Sequence, residues 1–294
     1  MRAEETLMTL IVTVNTPEIS LMLGDARLTA MDQHGTATYD DCCQKVYRLS
    51  ESTVLGFAGD LLVAADFLNT LTALYHPLGE NTFNERFSIQ ELILRTVPQI
   101  KQFGDSFRYP DGTLHPSDFV FTGRARPNVP VFQTLHLRFP DGHFELLTQE
   151  GITVLGSGRE FFEPIAKMLA GCLPHYREVA ADHPDPPHYL AWQIQSFICS
   201  MLLNQRSARP QSFGTILHGM YVDQHRITSL ECTLESPCEF LGVPIKASFG
   251  GGYHVTFENN RFCLRTADGR KAVLMTPAEV IAGQHTGGSQ RIDP

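Results

Sequence analysis

Residues 4–29, EETLMTLIVTVNTPEISLMLGDARLT, decide how this chain begins to fold. Two apolar runs, 7–14 and 18–24, flank Asn15-Thr16-Pro17, whose residue types favour a turn. We therefore predict two strands joined by that turn. Threonine is β-branched and common in strands, so Thr9 by itself is an ordinary strand residue. Whether Thr9 is also a nucleophile depends on residues at other positions of the chain.

Composition and charge limit the classes of function. The 294 residues suffice for one large domain, or for one domain with an appendage. The net charge is −9, and no more than two Lys or Arg residues adjoin, which argues against a nucleic-acid partner. No apolar run is as long as a membrane span, so we expect no membrane partner. Residues 1–8 are too short and too acidic for a signal peptide.

The seven cysteines are odd in number and lack the spacing of a disulfide framework, so free thiols in a cytoplasmic protein are expected. Adjacent Cys42 and Cys43 lack zinc-ligand spacing. Cys172 with His175, His183 and His188 would be a weak metal candidate, and a polar loop is the simpler interpretation. We predict neither a metal nor a cofactor.

The order of predicted elements indicates the fold class. Helical periodicity or capping marks 60–76, 89–103, 159–171 and 188–205. Further strands are predicted at 44–49, 53–57, 117–122, 130–139, 143–148, 152–155, 213–222 and 227–235. Strands thus alternate with pairs of helices. Two antiparallel sheets with a helix pair on each outer face would satisfy this order, giving an α+β, four-layer αββα sandwich.

The last part of the chain, 236–294, is predicted to be a small appendage. Residues 253–258 and 262–266 favour a β-hairpin. Thr276-Pro277-Ala278-Glu279 combines a capping box with proline at the first helical position, which predicts a short helix. The polar tail after Gly283 is predicted to be disordered.

Several landmarks, taken in order, resemble proteasome β-type subunits and the related bacterial protease HslV. These are N-terminal nucleophile (Ntn) hydrolases. Thr9 heads the first strand and Gly24-Asp25-Ala26-Arg27 ends the second. Lys45 begins KVYRL, and Gly59 follows in GFAGD. LGSGREF is similar to the family's Gly-Ser-Gly and places Ser157. The resemblance covers residues 9–235 and implies that 1–8 form a leader or propeptide.

The resemblance implies a threonine hydrolase that cleaves peptide or amide bonds. A threonine hydroxyl needs a base, and the α-amine of an N-terminal threonine, with a pKa of about 8, can serve. Removal of residues 1–8, by self-cleavage in the family, would expose that amine on Thr9. Lys45 would favour the alkoxide, and Asp25 would orient Lys45.

The remaining site residues follow from the same resemblance. The Gly59 N–H would stabilise the oxyanion, and Ser157 would hydrogen-bond the α-amine. Arg27 and Ser212 would contact and position the catalytic residues without reacting themselves. A ring-like homo-oligomer is also implied. Ring size, substrate and any ATPase partner are left open.

Other interpretations stay open beside this one. If Ser212 is the family's late serine, Arg209 stands where the family has an aspartate, and Met8 replaces the usual glycine before the nucleophile. These residues motivate an alternative: an inactive structural or assembly subunit with an uncut leader. Asp25 and Lys45 would then be only a structural ion pair. A third interpretation lets 236–294 cover the cleft of a narrow amidase or transpeptidase.

Overall fold

Two five-stranded antiparallel sheets form the centre of the computed structural model. The structure describes residues 9–31, 37–41, 43–60, 63–64, 67–68, 71, 88–95, 116–126, 129–139, 142–147, 150–156, 159–206, 214, 216–233, 253–258, 261–266 and 271–273. The first sheet contains Ile11–Asn15 (β1), Ser20–Asp25 (β2), Gly151–Leu155 (β10), Ile216–Val222 (β11) and Ile227–Thr233 (β12), in the order β10-β1-β2-β11-β12.

The second sheet has the order β5-β6-β7-β8-β9. Its strands are Val46–Arg48 (β5), Thr53–Gly59 (β6), Ser117–Arg126 (β7), Val129–Phe139 (β8) and His143–Leu147 (β9). These strands lie at the positions that the sequence predicted, with ends that differ by a few residues. Neighbours in this sheet are also consecutive strands in sequence, although residues 60–116, which include helical residues, separate β6 from β7.

The two sheets pack face to face through apolar side chains. Ile11 and Met22 from the first sheet belong to the same core cluster as Val54 and Val120 from the second sheet. All four side chains are fully buried. Side chains alternate across a strand, so the other face of the first sheet must be covered separately. Leu10, Val12 and Leu23 lie on that other face.

Two long helices cover that face of the first sheet. They are Arg159–Ala181 (α2) and Pro186–Arg206 (α3), and their buried residues include Phe162, Leu169 and Ile194. Helix α2 is ten residues longer than predicted and contains Pro174. A proline inside a helix removes one N–H donor and can kink the helix without ending it.

Helical residues also lie on the outer face of the second sheet. The ring of Phe67 lies 4.0 Å from that of Phe119 on β7. Phe67 belongs to a set of buried helical residues with the spacing of one helix face: Val63, Ala64, Phe67, Leu68 and Leu71. Ile89–Arg95 (α1) contacts β7 and β8. Residues 96–103 of the predicted second helix lie outside the described part.

Two smaller sheets complete the described chain. Arg27–Met31 (β3) pairs with Ala37–Asp41 (β4), a hairpin that the sequence did not predict. Tyr253–Glu258 (β13) and Arg261–Thr266 (β14) pair where a hairpin was predicted, and Lys271–Val273 (β15) adds a third strand. The predicted helix at Thr276 and the tail lie outside the described residues. Among the helices described, none is long and apolar enough to cross a membrane.

Candidate active site

Strand pairing places Thr9 beside the end of β2. Ile11 on β1 pairs with Gly24 on β2, so the chain before β1 runs alongside Asp25. The main-chain N–H of Asp25 donates to the Leu10 carbonyl oxygen at 3.0 Å. The Leu10 N–H in turn donates to Asp25 Oδ1 at 3.1 Å. This exchange fixes the backbone directly after Thr9.

Lys45 connects three chain segments at this point. Its Nζ donates to Thr9 Oγ1 at 3.0 Å, to Asp25 Oδ1 at 3.0 Å, and to the main-chain carbonyl of Arg27. An ammonium group has three N–H donors and no acceptor, so these bonds use all of them. Lys45 is 3% exposed and Asp25 is fully buried. The hydroxyl therefore lies next to a buried, fully hydrogen-bonded cation.

The Asp25 carboxylate is held from three sides. Besides Lys45 and Leu10, the N–H of Gly214 donates to Oδ2 at 2.9 Å. Burial of an unpaired charge is costly, and these donors compensate the buried carboxylate. The carboxylate orients Lys45 because its own position is fixed by two main-chain groups. Gly214 was not among the residues that sequence reasoning singled out.

Arg27 supports the site through its backbone. It begins β3 and is 8% exposed, and its main-chain oxygen accepts the third Lys45 bond. The resemblance implies that Arg27 supports the site; the contact with Lys45 is made by the main-chain carbonyl, a group that any residue possesses.

Gly59 ends β6, next to the segment that carries Lys45. The Phe57 N–H, two residues earlier, donates to the Lys45 carbonyl at 3.2 Å. Gly59 has φ of 112°, and an added Cβ would lie 2.6 Å from the Pro116 oxygen. Only glycine adopts this backbone readily. The oxyanion role of the Gly59 N–H stays a prediction.

Four sequence predictions at this site fall outside the described residues. They concern Ser157, Ser212, Arg209 and the bond between Met8 and Thr9. Two glycines close to them in sequence are described. Gly156 lies against the Thr9 backbone, and Gly214 donates to Asp25.

Cys43 is a further buried group near this site, and sequence reasoning treated it only as a free thiol. Its N–H donates to the Ala26 carbonyl at 2.8 Å, which ties it to the chain between Asp25 and Arg27. Burial raises the pKa of the Cys43 thiol from 9.0 to about 12; Lys45 lowers it and Asp25 raises it by smaller amounts. The thiol is therefore protonated and is a poor nucleophile at neutral pH.

A groove of about 410 Å³ lies elsewhere on the molecule. Thr16, Gly151, Lys167 and Arg177 are among its lining residues. Asn15 pairs with Gly151 at the end of β1 opposite to Thr9. The groove is therefore separate from the Thr9 site.

The Thr9 site can activate a hydroxyl group. A buried ammonium at hydrogen-bond distance stabilises an alkoxide, and a buried carboxylate keeps the ammonium in place. Among the described residues, no group of three or more His, Cys, Asp or Glu could hold a metal ion. No model of a known protein family matches this sequence, and no curated protein matches it significantly.

Proposed function

We propose that this chain is a proteasome-like threonine hydrolase of the Ntn type that cleaves peptide or amide bonds. One observation carries the proposal: Lys45 Nζ lies 3.0 Å from Thr9 Oγ1 and 3.0 Å from Asp25 Oδ1. Thr9, Asp25 and Lys45 are separated in sequence, and each is at most 3% exposed. A nucleophile, a cation and an orienting carboxylate are the groups that the resemblance implies at these positions.

We propose a four-layer αββα sandwich as the fold that holds them. Its support is the face-to-face contact of the two sheets, with α2 and α3 on one outer face. The aromatic contact of Phe67 with Phe119 supports helices on the other outer face. The resemblance further suggests a ring-like homo-oligomer, which light scattering of the purified protein can test.

The proposed reaction is acyl transfer followed by hydrolysis. Thr9 Oγ1 attacks the scissile carbonyl carbon while its proton moves to the α-amine of Thr9. The C–N bond then breaks, and the leaving amine takes the proton, which leaves an ester on Thr9. Water, deprotonated by the α-amine of Thr9, then hydrolyses the ester and regenerates the Thr9 hydroxyl. Lys45 stabilises the negative charge on oxygen in both steps.

This cycle requires a free α-amine on Thr9. While Met8 is attached, the Thr9 nitrogen belongs to an amide and has no basic lone pair. We propose that Thr9 Oγ1 attacks the Met8 carbonyl carbon, so that the acyl group moves from nitrogen to oxygen. Hydrolysis of this ester then releases residues 1–8. Thr9 is 3% exposed, so a substrate needs this end of the chain to open.

The alternative is an inactive subunit with an uncut leader. The burial of Thr9 favours it, because a threonine residue that is only 3% exposed is closed to substrate. In that case the Lys45–Asp25 pair would serve folding and assembly only. Arg209 also favours the inactive subunit, because it replaces the family's aspartate if Ser212 is the family's late serine.

Intact mass and covalent labelling separate the two functions. The intact mass of the purified chain is measured by mass spectrometry before and after treatment with a peptide epoxyketone or boronate. The proposal expects loss of residues 1–8 and one equivalent of label on Thr9. Thr9→Ala should abolish both, whereas Thr6→Ala, which changes a threonine within residues 1–8, should abolish neither. A full-length mass with no label in the wild-type chain would instead support the inactive subunit.

A further inference from the structure

Gly156 lies directly against the backbone of Thr9. A Cβ atom at position 156 would lie 2.0 Å from the Thr9 carbonyl oxygen and 2.8 Å from the carbonyl carbon. Both distances are far inside van der Waals contact, so any side chain here must displace Thr9 or the turn. Gly156 also has φ of +88°, which other L-residues rarely adopt.

The turn that carries Gly156 is fixed on both sides. Leu155, just before it, pairs with Ile11 on β1. Just after it, the Arg159 N–H donates to the Gly156 carbonyl at 3.1 Å as α2 begins. The turn therefore cannot move away from Thr9 without disturbing a strand pairing or a helix start.

The peptide group between Thr9 and Leu10 is consequently held from two directions. Its carbonyl oxygen lies against Gly156, and its N–H donates to Asp25 Oδ1 at 3.1 Å. A fixed peptide plane restricts the backbone rotation of Thr9. That restriction directs the Thr9 side chain toward Lys45, at 3.0 Å.

We infer that Gly156 is a positioning residue for Thr9: its missing side chain lets Thr9 Oγ1 reach Lys45. The catalytic consequence rests on the function proposed above, whereas the geometric contact does not. A shift of the nucleophile by about 1 Å can cost on the order of 100-fold in rate. Gly156→Ala should therefore slow labelling of Thr9 by roughly 10-fold to 100-fold.

A thiol at position 9 would report the same geometry through its pKa, a measurement that does not depend on catalysis. In a Thr9→Cys chain, the ammonium of Lys45 lies beside the new thiol and lowers its pKa. Adding Gly156→Ala should move the thiol away and raise its pKa by about one unit or more. The titration is read from the ultraviolet absorbance of the thiolate, after subtraction of the same chain with Thr9.

Gly151→Ala is the matched control, because Gly151 begins β10, the strand that leads into Gly156. An added Cβ there meets no atom within 4 Å. The thiol pKa and the labelling rate should both stay unchanged in this variant. An unchanged thiol pKa in the Gly156→Ala chain would overturn the inference.

Gly156→Asn separates the contact from the backbone angle. Asparagine tolerates positive φ better than alanine but carries the same Cβ atom. We expect Gly156→Asn to shift the thiol pKa as Gly156→Ala does. Full recovery with asparagine would mean that only the angle matters, and it would also overturn the inference.

Circular dichroism establishes that each variant is folded. If neither Gly156 variant folds, the contact is tested in the wild-type chain. The measurement is a nuclear Overhauser effect between Gly156 Hα and the Leu10 amide proton. The Leu10 nitrogen lies 3.5 Å from the added Cβ position, so this effect is expected and its absence refutes the contact. If the wild-type chain takes no label while the Thr9→Cys chains show the thiol shift, the proposed function alone is refuted. A chain that labels but shows no shift would refute the role of Gly156 alone.

Discussion

Lys45 Nζ donates a hydrogen bond to Thr9 Oγ1 at 3.0 Å, and the lysine is only 3% exposed. Its other two donors reach Asp25 and the Arg27 carbonyl. Low local polarity strengthens each of these bonds compared with the same bonds in water. It also makes the loss of any one partner expensive.

Lys45→Met should abolish labelling of Thr9 and destabilise the fold. The change leaves the buried Asp25 carboxylate without its cation, which typically costs about 3–5 kcal/mol. Urea unfolding measures the stability, and epoxyketone labelling measures the nucleophile. Lys167→Met, at an exposed lysine on α2, is the control and should change neither.

A double variant distinguishes a structural from a chemical role for this pair. Lys45→Met combined with Asp25→Asn removes both buried charges, so it should lose less stability than the two single changes added together. Labelling should remain absent, because no cation lies beside Thr9. Restored labelling in the double variant would contradict the role proposed for Lys45.

Cys43 should make the stability of the fold depend on pH in the alkaline range. Its thiol pKa is about 12 in the folded chain and 9.0 in its ordinary environment, chiefly because of burial. The folded state therefore holds the proton more tightly. The resulting stability is present below pH 9 and is lost as pH rises toward 12. Between pH 9 and 10.5 the loss should amount to about 1–2 kcal/mol.

Urea unfolding of wild-type and Cys43→Ala chains across that pH range checks this prediction. The wild-type chain should lose more stability with pH than Cys43→Ala, whatever their difference at neutral pH. Parallel pH curves for wild type and Cys43→Ala would count against the buried thiol.

The sequence predicted the central strands and the residues that meet at Lys45. Strong alternation and apolar runs mark strands such as 53–57 and 130–139, so local pattern is enough to place them. Thr9, Asp25 and Lys45 were placed by resemblance. Their contacts depend on the register of β1 with β2 and on the approach of the Lys45 segment, which no local pattern encodes.

The features that were missed have physical reasons of the same kind. The hairpin of β3 and β4 has a polar sequence, ATYDD on its second strand, and therefore lacks a strand-like apolar pattern. Gly214 and Gly156 act through a backbone N–H or through the lack of a side chain. Neither property shows in the residue type alone. Gly156 does stand in the LGSGREF stretch that marked Ser157, so that stretch was the available signal.

A buried polar network should fix how the two sheets are aligned. Asn15 Nδ2 donates to Thr134 Oγ1 at 2.9 Å, and Thr122 Oγ1 lies 2.9 Å from Thr134 Oγ1 and donates to Asn15 Oδ1 at 3.3 Å. Thr122→Val keeps the shape but removes this hydroxyl, and should destabilise by about 1–3 kcal/mol. Thr153→Val, at a half-buried threonine on β10, should have a smaller effect in the same unfolding assay.

Gly59→Ala should lower stability and Thr9 labelling together. An added Cβ would lie 2.6 Å from the Pro116 oxygen and 2.8 Å from the Ser117 Cα, and φ of 112° disfavours alanine. Such backbone strain costs on the order of 1–3 kcal/mol, measurable by urea unfolding. The end of β6 must then shift, and with it the N–H expected to meet the oxyanion. Gly171→Ala, where an added Cβ meets nothing within 4 Å, is the control. A Gly59→Ala chain that loses stability but labels at the wild-type rate would remove Gly59 from the proposed catalytic group and leave it a role in the turn alone.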